Sequence, residues 1–265
     1  MRFDEVSIYN ALSETAQHRV VFFEETDSTN VQAHRLAKEG AAHGTVVVAD
    51  MQTAGRGRRG RSWLQAPGEM LALSIVLRPH ISPEKTSMLT LVAALASALS
   101  IEKVTCVSCQ IKWPNDIVIN NKKAAGILTE LQLQSSAVDY VIVGIGINVG
   151  AAFFPEEIRK TATSLYLETG KPVDRNQLLA ELLCEMERLY ALFLEQEDLS
   201  CIKEEYLSRL INLGREVRVL DPKGEYRGTG CGITDTGELL VRREDGSMEQ
   251  IYAGEVSVRG LYTYV

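Results

Sequence analysis

Apolar positions recur along this chain in two periods. The β-branched run Gly44–Asp50 (GTVVVAD) and the apolar runs Val20–Glu24 (VVFFE) and Met70–Leu77 (MLALSIVL) predict strands. Met70–Leu77 is apolar almost throughout, which predicts burial on both faces. Further strands are expected at Ile117–Ile119, Ala125–Leu133 and Tyr140–Val149. Asn120–Asn121 supplies the hairpin turn between the first two of these, and Gly144 and Gly146 interrupt the last. The helical period appears four times. Val31, Ala33, Leu36 and Ala37 form a modest stripe that Gly40 ends. Ser82 as cap and Pro83 at the first helical position open a core helix reaching about Ser100. Asp174 opens a helix with Leu178, Leu179, Leu182, Leu183, Met186, Leu189, Tyr190 and Phe193 at helical spacing, and Asp198–Leu210 reads as another.

At Gly214 the pattern changes. Glu216–Leu220, Gly224–Ile233, Glu238–Val241 and Gln250–Arg259 read as short strands separated by turns. That length is too short for a sandwich and suits a small barrel. The predicted fold class is therefore α+β: a mixed β-sheet domain with flanking helices over residues 20–212, and a small β-domain over 213–265. Residues 1–19 form a short N-terminal segment with room for one helix.

Composition narrows the function. With 265 residues, 24% charged and a net charge of −7, the chain is ordinary for a globular protein and lacks the basic balance of a dedicated nucleic-acid binder. No run of eighteen apolar residues and no secretory leader is visible, and five cysteines suggest a reducing compartment. The expected location is cytoplasmic, with no membrane partner. Cys106 and Cys109 make one CxxC without a second ligand pair, a weak metal or redox signal read as structural.

Against this acidic background, Thr53–Trp63 (TAGRGRRGRSW) carries four arginines and three glycines. It satisfies GxGxxG, but Pro67 and Gly68 forbid the helix a dinucleotide site needs, and no acid lies twenty residues on. No GK[ST] follows, so it is not a P-loop. The glycines let backbone approach a ligand, the arginines offer forked donors for phosphate or carboxylate, and Trp63 offers a stacking face. Asp27, Ser28, Thr29 and Asn30 are cap-type residues at a helix start that also suit a polar ligand.

GRGRRGRSW, with DSTN before it and KWPNDI, KKAAGIL and GIGINV after it, resembles the biotin protein ligase family. The motifs span about residues 20–150 in the family's order, and the C-terminal β-domain is also similar. The resemblance implies a class II aminoacyl-tRNA-synthetase-like (biotin–lipoate ligase) fold with an SH3-like C-terminal barrel. It implies that ATP activates biotin as biotinyl-5′-AMP, and that a lysine of a biotin carboxyl carrier protein or domain then takes the biotin. No direct metal motif is present; Mg²⁺ is expected to accompany ATP, with Asp116 as the candidate residue near it. Matched position by position, Ser28, Thr29, Asn30, Gln52, Gly55, Arg56, Gly57, Arg58, Lys123 and Gly126 fall on biotin contacts. Arg58, Arg59, Arg61, Trp63, Asn115, Lys123 and Asn148 fall on ATP contacts, and Lys123, Arg58 and Asp116 on the catalytic set. Strand alternation admits only one of Lys122 and Lys123 to a pocket, and the resemblance, with AGIL following, implies Lys123. Trp63 is open between the biotin ring and adenine. Trp113 and Pro114 are structural, and Gly144 and Gly146 are close-packing positions. The loop is expected to close over bound ligand and retain the adenylate. With about nineteen residues before the first strand, the resemblance implies the form without an operator-binding domain, hence no DNA partner; monomer and homodimer both remain open.

Overall fold

The computed structural model describes residues 19–60, 63, 66–221, 224–253 and 257–260. The expected N-terminal helix, Arg61 and the side chain of Arg59 lie outside the described residues.

A seven-stranded sheet carries the larger part of the molecule. Its strands are β1 (Val20–Thr26), β2 (Val46–Gln52), β3 (Met70–Leu77), β4 (Gln110–Lys112), β5 (Asp116–Ile119), β6 (Lys122–Gln134) and β7 (Ala137–Asn148). They are ordered β1-β2-β3-β7-β6-β5-β4. β1 runs parallel to β2 and all other neighbours are antiparallel, so the sheet is mixed. On one face lies helix α1 (Thr29–Lys38), whose Ala33 and Ala37 pack on Val47, Val76, Tyr140 and Ile142. The other face is covered by α2 (Met88–Thr105) and α4 (Arg175–Gln196), with a short α3 (Leu165–Thr169) between β7 and α4. β3 is buried at every position, as its sequence predicts.

Several elements depart from their predicted bounds for local reasons. The segment opened by Pro83 begins as a 3₁₀ turn, Pro83–Ser87, and only then becomes α2. Thr86 and Ser87 turn their hydroxyls back onto the carbonyls of Pro83 and Glu84, which competes with regular helix bonding. This helix is long and apolar enough, by composition, to cross a membrane, but it sits in the core between the sheet and α4. Asn120 and Asn121 both have positive φ (49° and 61°), as a two-residue hairpin turn needs, so β6 starts directly at Lys122 rather than Ala125. β7 runs through Gly144 and Gly146 without interruption. Of the expected helix over Asp198–Leu210, only α5 (Lys203–Leu207) forms. Asp198 caps Ser200, and the Leu199 N–H pairs with Asp235 instead of a helical neighbour. Cys106 is the left-handed C-cap of α2, so the CxxC begins on a helix end.

Beyond α5 comes a five-stranded sheet: β8 (Glu216–Asp221), β9 (Gly224–Ile233), β10 (Leu239–Arg243), β11 (Met248–Ile251) and β12 (Ser257–Gly260), in the order β11-β10-β9-β8-β12. The single strand expected over Gln250–Arg259 is therefore two, on opposite edges of this sheet. Val217, Val219, Ile233, Leu239, Val241 and Ile251 join the same hydrophobic core as α2 and α4. The connecting segment reaches the larger sheet as well, since Leu210 bridges in parallel to Ile111 of β4.

Candidate active site

Among the described residues, α1 covers one end of its face of the sheet, and the strand register puts small residues beside it. Ala49 of β2 pairs with Ala72 of β3, Ala72 with Gly146 of β7, and Gly146 with Gly126 of β6. Residues directly opposite share a face, so these four make one row of minimal side chains across four strands. Gly126 pairs next with Asp116, so the trough ends at a carboxylate. On the adjacent row Ser74 pairs with Gly144, and on the other side Met70 pairs with Asn148.

Lys123 reaches this trough through a bulge. Simple alternation would set it on the opposite face from Gly126. The register of β5 against β6 slips between Ile117 and Val118, leaving Ala124 as the extra residue. A bulge re-aims the side chains beyond it. A Cβ placed on Gly126 would lie 3.0 Å from the Lys123 Nζ, and Lys123 donates to Asp116 in a short ion pair. Where β7 ends, residues 161–163 take over the pairing. The Lys123 N–H donates to the Thr161 carbonyl, and the Thr163 N–H to that of Lys123. The Thr163 carbonyl also accepts from the Asn148 side chain at 2.9 Å, so one segment fixes both residues.

The arginine–glycine loop folds over the same place. Gly55 is buried, and a Cβ there would meet the Trp63 carbonyl at 2.6 Å. Arg58–Gly60 forms a single 3₁₀ turn, with Gly60 at φ +70°. Arg58 donates to the Asn115 side chain at 2.8 Å, and Asn115 in turn bonds Ile127 through both its side chain and its backbone. The indole of Trp63 lies on the glycine floor: a Cβ on Gly146 would be 2.9 Å from its Nε1, and one on Gly126 3.2 Å from its ring. Lys123 Nζ stands 5.0 Å from the centre of that ring, within cation–π range. Arg56 is exposed and Gly57 partly so.

The DSTN residues sit at the start of α1, beside the trough. Ser28 is the N-cap by backbone geometry, but its side chain makes no cap bond. Gln52 Oε1 accepts from the Thr29 N–H (2.8 Å) and hydroxyl (3.1 Å). Ser28, Thr29 and Asn30 are all buried. Asp27 points outward, held below the usual carboxylate range chiefly by the Gln32 side chain.

Sequence reading missed five residues here. Ser74 Oγ lies 2.8 Å from Thr29 Oγ1 and 2.6 Å from Asn30 Oδ1. Glu130 accepts from Asn30, and His34, on the next turn of α1, lies 3.6 Å from the same carboxylate oxygen. His34 and Asn30 hold the Glu130 carboxyl below its ordinary range against the opposing effect of burial, with a smaller pull from Arg56. Ala49 and Ala72 complete the floor. A serine inside MLALSIVL was the available signal for the first; nothing local marks the others. Below the loop, Arg175 at the start of α4 is 3% exposed and pairs with Asp50 at 2.6 Å.

Trp113 is fully buried and donates its indole N–H to the Gly237 carbonyl, while its backbone N–H donates to Asn212. Among the described residues, no three His, Cys, Asp or Glu side chains are grouped to hold a metal ion.

A trough of small residues bounded by a lysine–carboxylate pair and roofed by an arginine loop is built to hold a flat ligand beside an anion. Residues 22–148 match the model of the biotin/lipoate A/B protein ligase family, and residues 213–259 match that of the biotin protein ligase C terminal domain. A biotin–[acetyl-CoA-carboxylase] ligase of Paracoccus denitrificans is 36% identical over 240 residues, covering 89% of this chain and 98% of that one. The bifunctional ligase/repressor BirA of Bacillus subtilis is 38% identical over 93% of this chain and 76% of its own length. Among solved structures, the biotin protein ligase from Aquifex aeolicus in complex with biotin and ATP superposes with a TM-score of 0.79 at 35% identity, covering 91% and 99% of the two chains. The chain belongs to the biotin protein ligase family.

Proposed function

We propose that this protein activates biotin with ATP and transfers it to a lysine of a biotin carboxyl carrier protein or domain. In the first step a biotin carboxylate oxygen attacks the α-phosphorus, giving biotinyl-5′-AMP and releasing pyrophosphate. In the second, the carrier lysine amine attacks the acyl carbon, an amide forms and AMP leaves. The observation that carries this reading is the convergence of Lys123, Asp116, Arg58 with Asn115, and Trp63 on one trough of small residues.

Bringing a carboxylate to a triphosphate sets like charges together, which costs most where water is excluded. Lys123 would leave Asp116 to bridge the carboxylate and the transferring phosphoryl group, and Arg58 would stabilise the same charge. Arg56, Arg59 and Arg61 complete the cationic loop, with Gly55 and Gly57 allowing close backbone approach. Ser28, Thr29, Asn30 and Gln52 would hold the cyclic urea of biotin over the Gly126 floor, and Asn148 and Trp63 the nucleoside. Mg²⁺ fits as an ion brought largely by the ATP phosphates, since one carboxylate, Asp116, stands at the trough. We further propose residues 20–212 as the catalytic unit, 213–265 as an SH3-like module, and a cytoplasmic working place beside the carrier.

ATP–pyrophosphate exchange tests the first step. Exchange that depends on biotin and not on lipoate is expected; exchange with neither would overturn the reading. Loop closure is tested separately: Arg58→Gly is expected to raise adenylate released to solution. Unchanged release in that variant would remove the retention role.

A further inference from the structure

The amide of Asn30 is held in one orientation by chemistry rather than by shape. Its Nδ2 faces two groups that can only accept: the carboxylate of Glu130 at 2.5 Å and the Leu128 carbonyl at 3.5 Å. Its Oδ1 faces the Ser74 hydroxyl, which can donate, at 2.6 Å. A flipped amide would set oxygen against carboxylate, and an acceptor facing an acceptor in a buried place loses its hydrogen bond and gains repulsion. Nor can the side chain slide away, because Asn30 is 4% exposed and its Oδ1 occupies the place a Cβ on Gly144 would need, 2.0 Å off. The Oδ1 thus lies above Gly144, one row from the trough, with a second lone pair to offer.

We propose that Glu130 is a positioning residue for the urea end of the ligand. It is an acceptor-only anchor that makes Asn30 present oxygen, not nitrogen, and so selects a ligand N–H at that point. This rests on the biotin reading above. Glu130 lies two residues beyond Leu128 on β6, and His34 and Tyr140 brace the arrangement: His34 sits beside the carboxylate and meets the Tyr140 hydroxyl at 3.3 Å.

Calorimetric titration of the full chain with biotin tests this with four proteins: wild type, Glu130→Gln, Asn30→Asp and the double variant. Glu130→Gln lets either amide orientation form, and about tenfold weaker biotin binding is expected from loss of a charged hydrogen bond. Its KM for ATP in pyrophosphate exchange should stay unchanged. Asn30→Asp sets two carboxylates face to face and should bind weakest. In the double variant the amide introduced on β6 can donate to the carboxylate introduced on α1. That restores an oriented acceptor, so recovery of about tenfold over Asn30→Asp is expected. ATP binding by each variant reports an intact fold. Wild-type affinity in Glu130→Gln, or a double variant no better than Asn30→Asp, overturns the role of Glu130. A wild-type chain that binds no biotin overturns the functional reading itself, which is a different result.

Discussion

Trp113 and Gly237 are joined by a 2.9 Å hydrogen bond from the indole to the Gly237 carbonyl, although 124 positions separate them. Gly237, at φ +91°, closes the turn between β9 and β10, and a Cβ there would press on Leu199, Leu91 and Met88. The turn before Asn115 and Asp116 therefore rests on the C-terminal sheet. Asn212 makes a second tie by accepting the Trp113 backbone N–H.

Asn212→Ala removes the acceptor of that buried N–H, a loss of about 1–3 kcal/mol. Denaturant unfolding should show the loss in one transition, because both sheets share a core. Two separate transitions would contradict the shared core.

Asp50→Ala would take the carboxylate away from the buried Arg175 guanidinium beneath the arginine loop. Breaking one side of such a pair costs about 3–5 kcal/mol. The chemical-denaturation midpoint should fall accordingly, and Asp50→Asn should lose less, since the amide oxygen still accepts.

Lys122 and Lys123 should separate cleanly. Lys123→Met is expected to lower biotin-dependent pyrophosphate exchange by at least about a hundredfold, the scale of removing one preorganised charge donor. Lys122→Met should stay near wild type. Equal loss in both would mean that the bulge at Ala124 does not select between them.

Gly144→Ala places a methyl on the Asn30 oxygen and must displace that side chain. Misplacement of about 1 Å at a positioned group can cost about a hundredfold. Biotin affinity should fall on that scale, and the thermal midpoint should fall too, since displacing the buried Asn30 breaks its bonds to Ser74 and Glu130.

Cys106 and Cys109 should differ in reactivity toward iodoacetamide. Burial, with Glu102 adding to it, pushes the Cys109 thiol well above its ordinary pKa, so its thiolate is scarce at neutral pH. Cys106 is exposed. Mass spectrometry of the native protein should find label on Cys106 first; prior labelling of Cys109 would overturn this reading of its burial.

The strands were legible where alternation or β-branched runs dominate, as in Met70–Leu77, and the helix opened by Asp174 was legible from its cap and leucine stripe. The site was legible as a set of motifs, but not as an arrangement. Alternation alone could not place Lys123, because one unpaired residue at Ala124 reverses the faces. Glu130 was not legible at all, since its importance lies in facing Asn30, a hundred positions away. The same holds for residues 161–163, which look like loop in sequence and pair with Lys123 in space. Asp198–Leu210 was overread because its helical spacing competes with capping bonds to Asp198 and a long-range bond to Asp235.

The row Ala49–Ala72–Gly146–Gly126 has a counterpart one residue away. Leu71, Ile147 and Ala125 pair across the same strands and face the core. A slip of one position in β7 would raise an isoleucine into the trough and drop Gly146 into the core. The row of small residues and the hydrophobic interior are thus two faces of one alignment. A ligand that binds the trough would bind only the aligned sheet and so stabilise that alignment by mass action.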